Sequence, residues 1–140
     1  MTAESIAIVG PGRMGVGIAT AVLMADRGHR VTLIDSKRRE PGKETETLDA
    51  AREEVKANLE LLNGLGLLHT DTESLIGGLE VATGLNEAIA GHSFVFEALP
   101  ENVAIKQDST ITKMSTPVRC STKNTWDSLN CCTCTNNPKI

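Results

Sequence analysis

The chain has 140 residues, of which 40% are hydrophobic and 23% are charged, a composition typical of one soluble globular domain with a single core. A formal net charge of −4 and an aromatic content of 2% exclude a basic field or stacking platform for nucleic acid. Apolar runs stay below eighteen residues and Met1 leads directly into a strand pattern, so we expect no membrane span, no signal peptide and a cytoplasmic protein.

The first part of the chain predicts a strand, a helix and a second strand. Residues 5–9 form a β-branched run typical of a strand buried on both faces, and residues 30–34 repeat the pattern before Asp35. Between them, apolar residues recur at helical spacing from Met14, with Gly28 as the expected glycine at the helix C-terminus. These elements make a complete βαβ unit.

Strands and helices continue to alternate after a loop at residues 36–42, whereas residues 63–78 are ambiguous. The further predicted elements are an amphipathic helix over 44–62, a strand over 79–82, a helix over 85–90, a strand over 93–96 and a helix over 103–114. This alternation predicts an α/β fold built on a doubly wound parallel sheet.

A glycine motif lies between the first strand and the first helix. Gly10 permits a tight turn out of the strand, Gly12 lets a pyrophosphate approach the backbone closely, and Gly15 lets the helix pack against the sheet. The backbone amides of Arg13 and Met14, together with the helix dipole, would then face the anion. The alternative interpretation is a glycine turn without a ligand, but the order of the flanking elements favours a dinucleotide site.

Asp35 ends the second strand, twenty residues beyond the last glycine of the motif. A carboxylate there can accept both ribose hydroxyls of NAD and repels the 2′-phosphate of NADP. Lys37, Arg38 and Arg39 follow closely and would soften this preference if they reached the ribose. We interpret these three cations instead as exposed loop charges.

A second motif spans residues 94–102, where a strand ends in two carboxylates, a proline and an asparagine. Asn102 can cap the helix that follows, and Glu101 can favour the positive end of that helix. A plain helix start explains this motif equally well when it is taken alone.

Together the two motifs resemble the NAD-binding domain of the 3-hydroxyacyl-CoA dehydrogenase family over about residues 4–115. The matching segments are 6–19, 31–35 and 96–102 with Lys106. The resemblance implies a Rossmann-type sheet, NAD as the cofactor, and a 3-hydroxyacyl substrate that exchanges hydride with it at C3. It also implies that Asp35 holds the adenosine ribose, while Glu101 and Lys106 border the nicotinamide ribose.

The resemblance ends after the predicted helix that carries Lys106. The next strand, a serine-rich loop, a catalytic histidine and a helical second domain of the family are not recognisable, so we expect an incomplete sheet and assign no catalytic residue. His29, His69 and His92 are interpreted as solvated loop residues. The alternative function is a non-catalytic, truncated dinucleotide-binding module. A 3-hydroxyacid dehydrogenase of the phosphogluconate type is disfavoured by the second motif.

The composition changes near residue 116, which predicts an NAD-binding domain over 1–116 and a tail over 117–140. All four cysteines lie in this tail, but Cys131, Cys132 and Cys134 lack the spaced pairs of a zinc site, so no metal is expected. The tail has too few large apolar side chains to offset its ordering entropy, and we expect it to be disordered. A change of reading frame or splicing near residues 115–120 would explain its composition.

Overall fold

The computed structural model describes residues 3–100 and a short strand at residues 119–120. The strands are β1 Ser5–Val9, β2 Arg30–Asp35, β3 Leu79–Thr83, β4 Phe94–Glu97 and β5 Arg119–Cys120. The helices are α1 Arg13–Met24, α2 Glu46–Gly64, α3 Thr72–Ile76 and α4 Leu85–Ile89. None of these helices combines the length and hydropathy that a membrane span needs.

The five strands form one parallel sheet in the order β3-β2-β1-β4-β5. The chain first builds outward from β1 to β2 and β3, and then crosses to the other side of β1 to form β4. The direction of winding therefore reverses between β1 and β4, which creates the crevice where Rossmann folds bind dinucleotides. The predicted doubly wound parallel sheet is confirmed.

Residues of β1 alternate between two apolar layers on opposite faces of the sheet. Ile6 and Ile8 pack with residues of α1, α2 and α3, whereas Ala7 and Val9 pack with Ile89 of α4. These four of the five β1 residues are buried, and Ser5 is half-buried. The need to fill both layers explains why this strand is an uninterrupted apolar run rather than an alternating one.

Helix α2 covers the first layer with one apolar stripe. The predicted stripe residues Leu48, Ala51, Val55 and Leu59 are buried, while Leu62 is half-buried near the end of the helix. The helix begins two residues later than predicted and ends two residues later. The amphipathic pattern thus identified the helix and its buried face, but not its ends.

The end of α1 differs from the prediction. The helix ends at Met24 with Ala25 as its cap, and Asp26 adopts the left-handed conformation directly after it, at φ 48°. Gly28, expected to terminate the helix, lies beyond the cap and has φ 68°. Its positive φ serves the turn into β2, so its assignment as the helix-terminal glycine is wrong.

A short helix, α3, lies in the segment that the sequence left ambiguous. Asp71 caps it: one carboxylate oxygen accepts the backbone N–H of Ser74 at 2.9 Å, and the other accepts the Ser74 hydroxyl at 2.6 Å. These bonds stabilise the ionised carboxylate, and the Ser74 hydroxyl bond is the main reason that the pKa of Asp71 is lowered. Lys56 of α2 pairs with Glu73 at 2.9 Å, which ties the two helices together and raises the pKa of Lys56.

Strand β5 corrects one expectation. The sequence showed no recognisable strand after residue 114, yet residues 119–120 pair in parallel with Phe94 and Val95 of β4. Two residues are too short for a hydrophobic period to reveal. The helix predicted over 103–114, the residues Glu101 and Lys106, and the tail from residue 121 onward lie outside the described residues.

Candidate functional site

The glycine turn begins at the carboxyl end of β1, beside the switch point. Gly10 has φ 109°, a conformation that favours glycine, and its N–H donates to the Ile34 carbonyl of β2 at 2.9 Å. A Cβ atom at Gly10 would lie 2.6 Å from the Ala98 carbonyl oxygen, just after β4. Gly10 is therefore held between the two strands that flank β1, with no room for a side chain.

Gly15 brings helix α1 against the same turn. A Cβ atom there would lie 1.9 Å from the Gly10 carbonyl oxygen and 3.5 Å from the Ile8 side chain. Even alanine would force the helix away from the turn. This geometry matches the close packing of helix and strand predicted for Gly15.

Gly12 differs from its two neighbours in the motif because it faces open space. A Cβ atom at Gly12 would meet nothing within 4 Å among the described atoms. Gly12 is the N-cap of α1 with an extended backbone, and the first turn of α1 contains no acidic residue. Arg13 and Met14 in that turn are exposed.

The first turn of α1 therefore has the chemistry that suits an anion. The first N–H groups of a helix have no carbonyl partner within the helix, and its dipole makes this end positive. Here the donors belong to the turn beside Gly12, where the absence of a side chain leaves room for a ligand. Backbone donors, positive dipole and free space are together suited to the pyrophosphate of a dinucleotide.

Asp35 lies at the same edge of the sheet as the turn. The parallel register pairs Val9 with Ile34, the residues directly before Gly10 and Asp35 in the sequence. Gly10 and Asp35 therefore lie side by side at the carboxyl ends of β1 and β2. The Asp35 side chain is only 4% exposed. One of its carboxylate oxygens accepts the Lys37 backbone N–H at 3.1 Å.

The other carboxylate oxygen of Asp35 accepts the Nε–H of Arg39 at 2.7 Å. Lys37 and Arg38 are exposed, as expected, but the Arg39 side chain is only 27% exposed. The interpretation of Arg39 as an exposed loop charge is therefore wrong. The sequence does place Arg39 four residues after Asp35. That spacing predicts an ion pair in a helix, but Asp35 ends a strand and Arg39 lies in a loop, where the spacing predicts nothing.

Glu97 and Ala98, in the middle of the second motif, lie at the switch point beside the glycine turn. Glu97 is paired with Val9 in the sheet register, and the N–H of Ala98 donates to the Val9 carbonyl at 2.8 Å. The structure thus brings Ala98 of this motif against Gly10, a contact that depends on the order of the strands in the sheet. Glu101 and Lys106 are not among the described residues.

The three histidines, all within the described part of the chain, lie away from this edge. His29 and His92 precede β2 and β4, so they lie at the amino edge of the sheet. His29 Nδ1 accepts the Glu4 N–H at 3.0 Å, and His92 Nε2 is 2.9 Å from the Thr32 hydroxyl. Both are half-buried and hydrogen-bonded rather than solvated, which corrects the sequence interpretation; His69 is exposed, as expected.

A cavity of about 300 Å³ also lies at the amino edge, opposite the glycine turn. Its lining includes Leu23, Asp26, His29, Thr70, Ser74 and Gly78. Within residues 3–100, no cluster of three or more potential metal-ligating side chains occurs. Because it lies at the amino edge, the cavity is separate from the first turn of α1 at the carboxyl edge, and its residues can serve as a reference for locating a bound ligand.

Comparison with known proteins identifies a matching family and similar folds. The family model described as 3-hydroxyacyl-CoA dehydrogenase, NAD binding domain, matches residues 5–121. No curated protein is significantly similar to the chain in sequence.

Similar solved structures include 3-hydroxybutyryl-CoA dehydrogenase from Escherichia coli K12, at 30% identity and a TM-score of 0.60, covering 76% of this chain and 21% of that one. A diketoreductase acting on dicarbonyl compounds has 26% identity and a TM-score of 0.60, with coverage of 77% and 36%. FadB2 from M. tuberculosis has 26% identity and a TM-score of 0.60, with coverage of 76% and 34%. The chain spans between about a fifth and just over a third of these structures.

Proposed function

The chain belongs to the NAD-binding domains of the 3-hydroxyacyl-CoA dehydrogenase family, and from this we propose that the turn from Gly10 to Gly15, together with Asp35, holds NAD for the oxidation of a 3-hydroxyacyl substrate. The observation that carries the proposal is the contrast within the glycine motif. Gly10 and Gly15 are closed in by protein atoms, whereas Gly12 faces open space at the start of α1. Such a pattern serves a ligand rather than packing alone.

The pyrophosphate would lie against Gly12 and the first turn of α1. The backbone N–H groups of Arg13 and Met14 would donate to phosphate oxygens, and the helix dipole would favour their negative charge. Exposure of this turn gives the phosphates access from solvent. The side chain of Arg13 adds a positive charge at the same end of the helix.

The adenosine ribose would lie at Asp35, on the adjacent strand. An ionised carboxylate has about four acceptor positions, and two of these are used by Lys37 and Arg39. The remaining positions can accept ribose hydroxyls once Arg39 moves aside. The nicotinamide end would then extend to the switch point beside Ala98, and by resemblance Glu101 and Lys106 would border its ribose.

NAD, when bound, supplies the hydride acceptor for oxidising a C3 hydroxyl to a ketone. In this proposal, the described residues bind and orient the cofactor. A 3-hydroxyacyl substrate, and with it a place in fatty acid metabolism, is supported by the similarity to 3-hydroxybutyryl-CoA dehydrogenase.

A non-catalytic dinucleotide-binding module is the second candidate function. It is favoured by the position of the histidines, because His29 and His92 lie at the amino edge and are engaged in structural hydrogen bonds. A general base must reach the substrate hydroxyl. These two side chains lie at the amino edge of the sheet, opposite the edge where the nicotinamide would lie.

Two measurements on the full chain test the proposal and separate the candidates. Titration of NADH, followed by its fluorescence, should show saturable binding, and absence of binding would contradict both functions. Oxidation of 3-hydroxybutyryl-CoA with NAD, followed by NADH absorbance, should then show turnover if the chain is an enzyme. Binding without turnover would support the non-catalytic module.

A further inference from the structure

Arg39 forms the closest polar contact of the buried carboxylate at the proposed ribose position. Asp35 is 4% exposed, so its charge requires compensation, and the Nε–H of Arg39 supplies it at 2.7 Å. The Lys37 backbone N–H at 3.1 Å is the second donor. A ligand that approaches Asp35 thus meets a carboxylate and a guanidinium together, rather than an isolated negative charge.

The guanidinium is placed so that it can change partner. Arg39 belongs to the loop between β2 and α2 and not to a regular element, and its side chain remains 27% exposed. The bond to Asp35 uses one of the five N–H donors of a guanidinium. The other donors can bind a phosphate in the planar, bidentate geometry that arginine favours.

This pair alters the electrostatics on which cofactor choice depends. An unpaired aspartate at the ribose position repels a 2′-phosphate, whereas an adjacent arginine accommodates it. The Asp35–Arg39 pair has no formal net charge, and its two charged groups are in direct contact at 2.7 Å. The repulsion expected from Asp35 is therefore largely cancelled at short range.

We propose that Arg39 is the specificity-determining residue of the adenosine end of the site: it binds the 2′-phosphate of NADP(H) and thereby narrows the preference for NAD(H) that Asp35 alone would impose. The inference rests on the proposed function, in which Asp35 faces the adenosine ribose. NADP(H) binds more weakly than NAD(H) but measurably. With NAD(H), Arg39 only has to leave the ribose free.

Calorimetric titration of the full chain with NAD⁺ and with NADP⁺ tests the proposal. In Arg39→Ala, the Kd for NADP⁺ should rise about tenfold, the effect of losing one charge-assisted contact. The Kd for NAD⁺ should change by less than about threefold, because the ribose does not need the guanidinium. Arg38→Ala, the matched control with the same loss of charge at an exposed neighbour, should change the ratio of the two Kd values less than about twofold.

Arg39→Lys keeps the charge without the planar donors and should give an intermediate ratio, which also provides a test if Arg39→Ala does not fold. An unchanged ratio in the Arg39 variants, an equal shift in Arg38→Ala, or no measurable NADP⁺ binding by the unmodified chain would overturn the proposal. If NAD⁺ binds, and Asp35→Ala weakens that binding, but the Arg39 variants leave the ratio of the two Kd values unchanged, this inference alone fails. If neither cofactor binds the unmodified chain, the proposed function fails as well.

Discussion

The carbonyl oxygen of Gly10 lies 1.9 Å from the position that a Cβ atom on Gly15 would occupy. The contact joins the end of β1 to the first turn of α1 without any side chain between them. Backbone atoms on both sides leave little freedom to relax, so the glycine at position 15 is a requirement of packing.

Gly15→Ala should destabilise the fold through this contact. We expect the free energy of unfolding to fall by roughly 1–3 kcal/mol, the usual cost of overpacking a filled site. Urea denaturation measures the change. Gly17→Ala is the matched control, because its Cβ atom meets nothing within 4 Å and alanine favours a helix; it should raise stability by about 0.5–1 kcal/mol. Equal effects at both positions would show that the close contact does not exist in solution.

Gly12→Val should separate binding from folding. The new side chain would project into the open space beside α1 and displace the pyrophosphate, while its backbone, at φ −85°, suits any residue. NAD binding should be lost, and the thermal unfolding midpoint should change little. Gly17→Val, which adds the same side chain further along α1, should retain binding. NAD affinity within a few-fold of the unmodified chain in Gly12→Val would mean that this turn is not the phosphate site.

Asp35→Ala should weaken the binding of NAD and bring the affinities for NAD and NADP closer together. Losing the acceptor for the ribose hydroxyls should raise the Kd for NAD about tenfold, with a smaller effect on NADP. Calorimetric titration with both cofactors gives the two values. Glu40→Ala is the control: this acid in the same loop is 78% exposed and pairs with Lys43, so its loss should leave both values nearly unchanged. If Asp35→Ala and Glu40→Ala changed the two Kd values equally, the effect would come from the net charge of the loop and not from a contact of Asp35 with the ribose.

Asp71 should titrate below its ordinary pKa because Ser74 stabilises its ionised form. A depressed folded-state pKa contributes stability above the unfolded pKa of about 4, and this contribution is lost as the pH falls through the lower folded value. NMR titration of the carboxyl carbon measures the shift directly. Ser74→Ala removes the hydroxyl donor but keeps the backbone N–H, so the pKa should return part of the way. An ordinary pKa in the unmodified chain would contradict the capping geometry.

The sequence predicted the central βαβ unit because its signals are local and mutually consistent. Strand β1 begins and ends at the predicted residues, since a strand buried on both faces must be apolar throughout. Helix α3 was missed because five residues are too few for a hydrophobic period, although Asp71 followed by Ser74 is a capping signal. Periodicity thus identifies long elements, whereas short elements depend on single side chains.

The sequence predicted which residues form the candidate site, but not the contacts that these residues make. Gly10, Gly12 and Asp35 meet at one edge because parallel strands share their carboxyl ends, which the order of the elements already implied. The approach of Gly10 to Ala98 depends on strand order in the sheet, and the pairing of Arg39 with Asp35 depends on the path of a loop. Neither is encoded in a local pattern, so the structure was needed to find them.

Binding of NAD at the glycine turn and Asp35 can be located by NMR chemical-shift mapping on the full, ¹⁵N-labelled chain. Addition of NAD should shift the amide resonances of Gly12, Arg13, Met14 and Asp35, at the carboxyl edge of the sheet. The amides of His29, Ser74 and Gly78, which line the cavity at the amino edge, should remain unchanged. Shifts confined to that cavity, with Gly12 and Asp35 unaffected, would contradict NAD binding at the glycine turn.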